Sequence, residues 1–334
     1  MKAYEIGTSI NGLARLELVD LPEPRLNSGQ VTVKMHAASL NARDIQVLKG
    51  IYGVQPRVPL SDGAGEVVAV EPGVTRVKVG DRVATIFRQT HLVGELTAET
   101  AKSALGGEQE GILAEHLVLH EDGLVKIPDE FSYEEGSTLP IAAVTAWNAL
   151  VEEAKIKAGD TVLLLGTGGV SIFALQFAKM MGARVIMTSS SDAKLERVVA
   201  LGAHTVINYK QTPNWDDRVL ELTGGRGADI VLELGGSATL SQSLRAVRVS
   251  GQVEIIGVIN GIESEVNITP ILLKHITVQG ISVGSRASFE AMNVAITQNL
   301  VRPVIDKVFP FEKANDAVAY LASGEHFGKV VIKF

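Results

Sequence analysis

The sequence predicts an α/β fold: a doubly wound parallel sheet in the middle of the chain, set in a β-rich remainder. Three observations predict it. From about Ser132 onward, short apolar runs at 162–165, 184–188, 205–208, 230–234 and 252–256 alternate with stretches of helical period at 192–201, 215–223 and 240–247. Buried parallel strands and their right-handed helical crossovers give that alternation. The first of these strands runs at once into glycines and then a helix, in TVLLLGTGGVSIFALQFAKMMGA at 161–183. By contrast, residues 1–120 alternate apolar and polar side chains between glycine and proline turns, as half-buried antiparallel strands do.

The strand–glycine–helix passage is the stretch with the clearest chemical meaning. Gly166, Thr167, Gly168, Gly169 and Val170 sit where a dinucleotide pyrophosphate docks: glycines let backbone approach the phosphates, and the helix N-terminus faces the negative charge. The match to G-x-G-x-x-G is incomplete, because Ser171 holds the third glycine position. An ordinary tight turn in any α/β domain is the competing reading of the motif alone.

Composition narrows the field. The 334 residues are 46% hydrophobic and 21% charged, enough apolar surface for two domains with real cores. The net charge of −7, without a Lys/Arg run, speaks against nucleic acid as a partner. No unbroken apolar segment approaches the ~18 residues of a membrane span, and no apolar leader opens the chain, so the expected location is the cytoplasm. With no cysteine, disulfides, thiolate metal sites and cysteine nucleophiles are all excluded. The seven histidines are scattered; His116 and His120 share a strand face but lie too far apart to chelate one ion, so no histidine metal site is expected.

In the first region, 13–18 and 31–37 read as strands and 41–50 as a short helix with Asn41 near its cap and Gly50 past its end. Residues 61–84 give further short strands, 89–112 a polar, glycine-bearing loop or lobe, and 114–119 and 124–127 strands again. Ser132 and Glu135 form a capping-box pattern, and 142–154 is helical. Residues 276–283 would add a last strand to the parallel sheet. Then come helices at 289–298 and 311–323 and a closing strand at 329–333, which suggests that the last fifty or so residues return to the first domain. The expected division is 1–125, 126–284 and 285–334.

This order of features resembles the medium-chain dehydrogenase/reductase superfamily. The carriers are SLNARD (39–44), SDGAGEVVAV (61–70), GDRV (80–83), LPIAAVTAW (139–147), GDTVLLLGTGGVS (159–171), ALGA (200–203) and HFGKVV (326–331). The resemblance implies a GroES-like catalytic domain with an inserted Rossmann domain and a homodimer, in which the apolar strand at 276–283 could pair with its symmetry mate. It also makes an absence informative. The zinc members place a Cys, a His-Glu pair and a second Cys where this chain has Asn41, Ser61-Asp62 and Ile141. Neither the catalytic nor the structural zinc site is expected to form in the usual way. The segment instead looks like the zinc-free quinone oxidoreductase branch.

The resemblance implies roles for single residues. Asn41 would neighbour nicotinamide and substrate, or cap its helix, or both. Tyr52 would bond the substrate or cover an apolar cleft, and Asp44 would hold local structure. Thr145 would lie beside the nicotinamide, and Gly257 and Val258 would offer backbone groups to the carboxamide. Ser285, Arg286 and Lys329 would reach ribose or pyrophosphate. Tyr209 would pack near the adenosine phosphate. Ser189 takes the place of the acid that usually grips the NAD ribose. Ser189, Ser190 and Lys194 together favour a 2′-phosphate, hence NADPH over NADH, although one of the serines must also cap a helix. The expected activity is zinc-independent hydride transfer from NADPH to a carbonyl or conjugated acceptor such as a quinone, enone or aldehyde. An alcohol dehydrogenase or enoyl reductase is the alternative enzyme. A non-catalytic NADPH-binding protein is the alternative of another kind.

Overall fold

A computed structural model describes the whole chain except residues 11, 55, 260 and 264. It divides into two compact units. Unit one is Met1–Val144 with Gly284–Phe334, and unit two is Thr145–Val283.

Unit one opens with a hairpin of β1 (Lys2–Ile10) and β2 (Leu13–Asp20), antiparallel and separate from the main sheet. β3 (Gln30–Leu40) is the spine of that main sheet. It pairs antiparallel with β4 (Asp62–Val70) along almost its whole length, while β5 (Arg82–Thr85), β6 (His116–His120) and β7 (Leu124–Lys126) complete the first part of the unit. The inward residues of β3, Val31, Val33 and Met35, are buried with Leu60, Val67, Ile112 and Leu113 in one apolar cluster. The period-2 pattern seen at 31–37 is the pattern of that packing.

Unit two is a six-stranded sheet of β8 (Thr161–Leu165), β9 (Arg184–Ser189), β10 (Thr205–Asn208), β11 (Ala228–Glu233), β12 (Val247–Ile255) and β13 (Thr277–Gly280). The spatial order is β10-β9-β8-β11-β12-β13 and every pairing is parallel. The strand order reverses beside β8, and in such sheets ligands bind beyond the strand C-termini at that switch point. Continuous burial of β8 and β11 explains why these strands read as unbroken apolar runs.

The chain returns to unit one after Val283 with the helix Arg286–Gln298, then β14 (Ile305–Pro310), the helix Ala314–Ser323 and β15 (Lys329–Lys333). β15 lies between β14 and β3, and its antiparallel register sets Val330 opposite Leu40.

Four expectations change. The first boundary falls at Val144, later than 125. The short helix Tyr133–Ser137 and the turn Leu139–Ala143 stay with unit one, because Ile141 is hydrogen-bonded to β4. The helical stretch 142–154 is not uniform: Leu139–Ala143 and Asn148–Glu153 are wound with wide π turns around a short α segment. The strand at 276–283 is only Thr277–Gly280. β1 and β14 had no clear alternation in the sequence; β14 carries Lys307 and half-buried neighbours at the end of its sheet, so it shows little hydrophobic contrast.

Candidate functional site

The glycine turn of unit two is built as its spacing demands. β8 ends at Leu165, and Gly166 turns the chain with φ of 75°, a conformation that favours glycine. Gly168 is the extended N-cap of the helix Gly169–Met180, whose first N–H groups have no carbonyl to bond within the helix. Thr167 is buried, whereas Gly166, Gly168, Gly169 and Val170 are half-buried. Ser171 explains the missing third glycine. It is 1% exposed and its hydroxyl donates to the Leu165 carbonyl at 2.7 Å, so the extra polar atom is satisfied where helix meets strand. The arrangement fits a dinucleotide pyrophosphate.

At the end of β9, Ser189 is buried and its Oγ accepts the Ser191 N–H at 3.3 Å. Its carbonyl accepts the N–H of Tyr209, whose ring is exposed. Ser190 and Lys194 are half-buried. The helix cap is Ser191, which accepts from Lys194 N–H, leaving Ser189 and Ser190 out of that task. Asp192 is tied to the Asn208 and Gln211 amides at 2.7 and 2.9 Å. Gly257 follows β12 and donates to the Glu233 carbonyl; a Cβ there would fall 2.4 Å from the Leu234 oxygen, so only glycine fits. Val258 beside it is half-buried. Thr145, the first residue of unit two, is 3% exposed.

Sequence reasoning missed Glu233. Fully buried at the end of β11, it accepts from the N–H groups of Gly235 and Gly236 at 2.8 and 3.0 Å, from Thr239 Oγ1 at 2.5 Å and from Ser243 Oγ. It shapes the loop beyond β11 at the ligand-binding edge of the sheet. The signal was an acid at a strand end followed by two glycines.

Unit one gathers a second set of residues. Asn41 stands at the N-cap of the helix Ala42–Leu48, but its side chain makes no cap bond. The helix is closed from the other side, by Asp44 accepting the Asn41 N–H at 2.7 Å. Asn41 Oδ1 instead accepts from Lys329 Nζ at 2.6 Å, and the same ammonium donates to the Leu40 carbonyl at 2.7 Å. An ammonium has no acceptor, so the amide orientation is settled: Nδ2 points the other way. Nδ2 is buried and makes no hydrogen bond; it lies near enough to Asp62 to favour that carboxylate's charged form, but short of hydrogen-bond geometry.

Asp62 is fully buried and accepts from the Ile141 N–H at 3.0 Å and from Ser61 Oγ at 3.0 Å. Burial raises the pKa of Asp62, against the pull of Lys329, Asn41, Ile141 and Ser61. Burial raises that of Asp44 to about 6, with Asp62 adding to the rise and Arg43 and Lys329 opposing it. Lys329 is 2% exposed, and burial lowers its pKa while the two carboxylates push it back up. Two acids and one amine are thus buried close enough to influence one another.

Three of the expected site residues make contacts within unit one. Ser285 caps the helix Arg286–Gln298 and bonds Ser288. Arg286 donates to the carboxylate and carbonyl of Asp122 at 2.7 and 3.1 Å, which ties it to the loop before β7. Lys329 likewise turns into unit one, towards Asn41. Tyr52 is 49% exposed on the loop after the helix Ala42–Leu48.

The donor set here does not fit zinc. Asn41 Oδ1 is occupied by an ammonium, Ile141 presents an N–H, and Asp62 is a single carboxylate. Among the described residues, no group of three or more His, Asp or Glu is placed to hold a metal ion, and no helix is long and apolar enough to cross a membrane.

Comparison with known proteins adds to this geometry. A family model described as zinc-binding dehydrogenase matches residues 169–298, and one described as alcohol dehydrogenase GroES-like domain matches 27–129. A zinc-type alcohol dehydrogenase-like protein of Schizosaccharomyces pombe is 43% identical over 99% of this chain and 98% of its own. A quinone oxidoreductase of Sus scrofa is 30% identical over 90% of this chain and 86% of its own. Among solved structures, a putative alcohol dehydrogenase from Sinorhizobium meliloti superposes with a TM-score of 0.93 at 43% identity, covering 100% of this chain and 98% of that one. A structure titled NAD-dependent alcohol dehydrogenase gives 0.90 at 32%, and a mycobacterial protein complexed with NADPH gives 0.84 at 26%, each covering 100% of both chains.

Proposed function

The chain belongs to the medium-chain dehydrogenase/reductase superfamily, and from that premise we propose an NADPH-dependent oxidoreductase that works without zinc on a carbonyl or conjugated acceptor: a quinone, an enone or an aldehyde. The observation that carries the proposal is the Asn41 amide. Its oxygen is clamped by Lys329 and its Nδ2 is a buried donor with no hydrogen-bond partner. Leaving such a donor unpaired costs about 1–3 kcal/mol. An acceptor oxygen placed on it recovers that cost, and gains more as negative charge builds on the oxygen during hydride addition. The nicotinamide, when bound, supplies the hydride. One neutral donor polarises a carbonyl less than a divalent metal does, which favours acceptors that spread charge through their own conjugation.

Support for NADPH comes from the end of β9. Ser189 and Ser190 stand where an acid would grip the ribose, and the nearby carboxylate of Asp192 is taken up by Asn208 and Gln211. Lys194 adds positive charge one helical turn on. Among the neighbours, one is solved with NADPH and one is titled NAD-dependent, so the choice rests on these residues. Thr145, Gly257 and Val258 keep their proposed places near the nicotinamide, and Tyr209 near the adenosine phosphate. A cytoplasmic homodimer completes the proposal: β13 ends the sheet, and Ile268, Leu272 and Leu273 before it are at least 70% exposed. Light scattering after size exclusion tests the dimer.

The deciding experiment follows NADPH and NADH oxidation against a panel of quinones, enones and aldehydes, with Asn41→Ala beside the native chain. Loss of an oxyanion donor predicts a drop in kcat of about 100-fold. Full activity in Asn41→Ala, or NADPH binding without oxidation by any acceptor, overturns the reading.

A further inference from the structure

Glu233 ends β11, the strand that pairs with β8 where the order of the parallel sheet reverses. Ligands of such sheets bind beyond the strand ends at that point. The carboxylate is fully buried and collects four neutral donors from one short stretch of chain. Oε1 accepts from the N–H groups of Gly235 and Gly236 at 2.8 and 3.0 Å and from Thr239 Oγ1 at 2.5 Å. Oε2 accepts from Ser243 Oγ on the helix Leu240–Ala246. Hydrogen bonds to a charged acceptor are stronger than those between neutral groups, so this donor set holds the loop in one shape.

The backbone of the same residue reaches the next strand. Its carbonyl accepts from the N–H groups of Ile256 and Gly257 at 2.9 and 3.2 Å, just past the end of β12. From the loop after β11, Ser237 N–H donates to the Gly261 carbonyl at 3.1 Å. The two loops are in close contact. A Cβ on Gly236 would fall 2.8 Å from Val258 Cα, and one on Gly257 would fall 2.4 Å from the Leu234 oxygen. A shift in one loop therefore moves the other.

We infer that Glu233 is a positioning residue for the nicotinamide half of the cofactor: it fixes the loop after β11 and, through that loop, the backbone of Gly257 and Val258. The inference rests on the reading above that sets Gly257 and Val258 beside the carboxamide, and adds the residue that holds them there. The Glu233 carboxylate is buried and turned to the protein's own donors, so it acts through the two loops. The adenosine half falls to other residues, at the glycine turn after β8 and the end of β9. Loss of Glu233 should thus be felt by the whole cofactor and not by its adenosine half.

The test is calorimetric titration of the full-length native chain, Glu233→Ala, Glu233→Gln and Thr239→Val with NADPH and with 2′,5′-ADP, which carries the adenosine half alone. Glu233→Ala takes the acceptor from two N–H groups and two hydroxyls, and should weaken NADPH by about 10-fold or more relative to 2′,5′-ADP. Glu233→Gln keeps an oxygen for Gly235, Gly236 and Thr239 and can donate to the Ser243 hydroxyl, so it should bind both ligands within about 3-fold of the native chain. Thr239→Val removes one donor and leaves the carboxylate in place, so it carries the test if Glu233→Ala does not fold. It should weaken NADPH selectively by about 3-fold. If the native chain takes NADH in preference, NADH and AMP replace the pair and the same split is read. Equal weakening of whole cofactor and adenosine half, or no weakening, means that Glu233 serves the fold alone; it overturns the inference and leaves the cofactor reading intact. Glu233→Gln as weak as Glu233→Ala makes the charge the working part and overturns the inference as well. A native chain that binds neither NADPH nor NADH overturns both.

Discussion

The two units bury carboxylates in opposite ways. In unit one, burial raises Asp44 only to about 6, held back by Arg43 and Lys329, and Lys329 also opposes the rise that burial imposes on Asp62. In unit two, Glu254 on β12 is 1% exposed and has an oxygen without a hydrogen-bond partner; burial, with the charge of Glu153 adding to it, drives its pKa up to about 8. The difference teaches where charge is wanted. A buried acid supplied with a cation remains ionisable near neutrality, whereas one without a cation simply holds its proton. Glu233, also buried in unit two, shows a third solution: four donors from one short loop in place of a charge.

The strongest way to break this contrast is Lys329→Met. It should destabilise unit one by about 3–5 kcal/mol in urea unfolding, because the buried Asp62 loses its cation while Asp44 keeps Arg43 beside it. The loss should shrink as the pH falls, because burial has already raised both carboxyls and protonation then removes their charge. A loss independent of pH would mean that the lysine acts through packing alone. The converse test is Glu254→Gln, which should stabilise. The sign follows from its raised pKa: the folded chain holds the proton more tightly than the unfolded chain, so stability falls as pH climbs from the ordinary glutamate range towards 8. The gain should therefore be near zero at pH 4.5 and on the order of 4 kcal/mol at pH 8. A gain of the same size at both values would remove the buried charge from the explanation.

Smaller effects sharpen the cofactor half. Ser189→Asp should move the NADPH/NADH preference, measured as a ratio of kcat/KM, by about 10-fold or more towards NADH, from repulsion between a carboxylate and the 2′-phosphate. An unchanged ratio would end the serine argument. Ser171→Ala should cost about 1 kcal/mol through the lost bond to Leu165 O, and Ser171→Gly somewhat more for its added backbone freedom. If Ser171→Ala is neutral, the hydroxyl contributes nothing to the helix–strand contact.

Legibility differed between the halves in the same way. The strand, turn and helix around Gly166 lie within one short segment, and their chemistry is carried by backbone N–H groups and by φ, so glycine spacing reveals them. The strand alternation of β3 and the apolar runs of β8 and β11 were legible for the same reason: a single strand shows its own burial pattern. The direction of Lys329 was not legible, since nothing around 329 says that the strand register will set it beside Leu40 and Asn41. The contacts of Arg286 and Ser285 were not legible either, because Asp122 is distant in sequence and the Ser288 pairing depends on where the helix begins. Asn41 was open between cap and site. In the fold it is the N-cap residue of its helix and its oxygen also accepts from Lys329, a contact that only the assembled sheet creates.

What the amino-acid sequence determined by itself is the α/β class, the doubly wound sheet, the glycine turn and the lack of thiolate ligands, all properties of contiguous residues or of composition. What only the tertiary structure decided is the site in unit one, made from residues 41, 44, 62, 141 and 329. Its charge states depend on mutual burial, and desolvation is a property of the assembled fold that no single stretch of chain possesses.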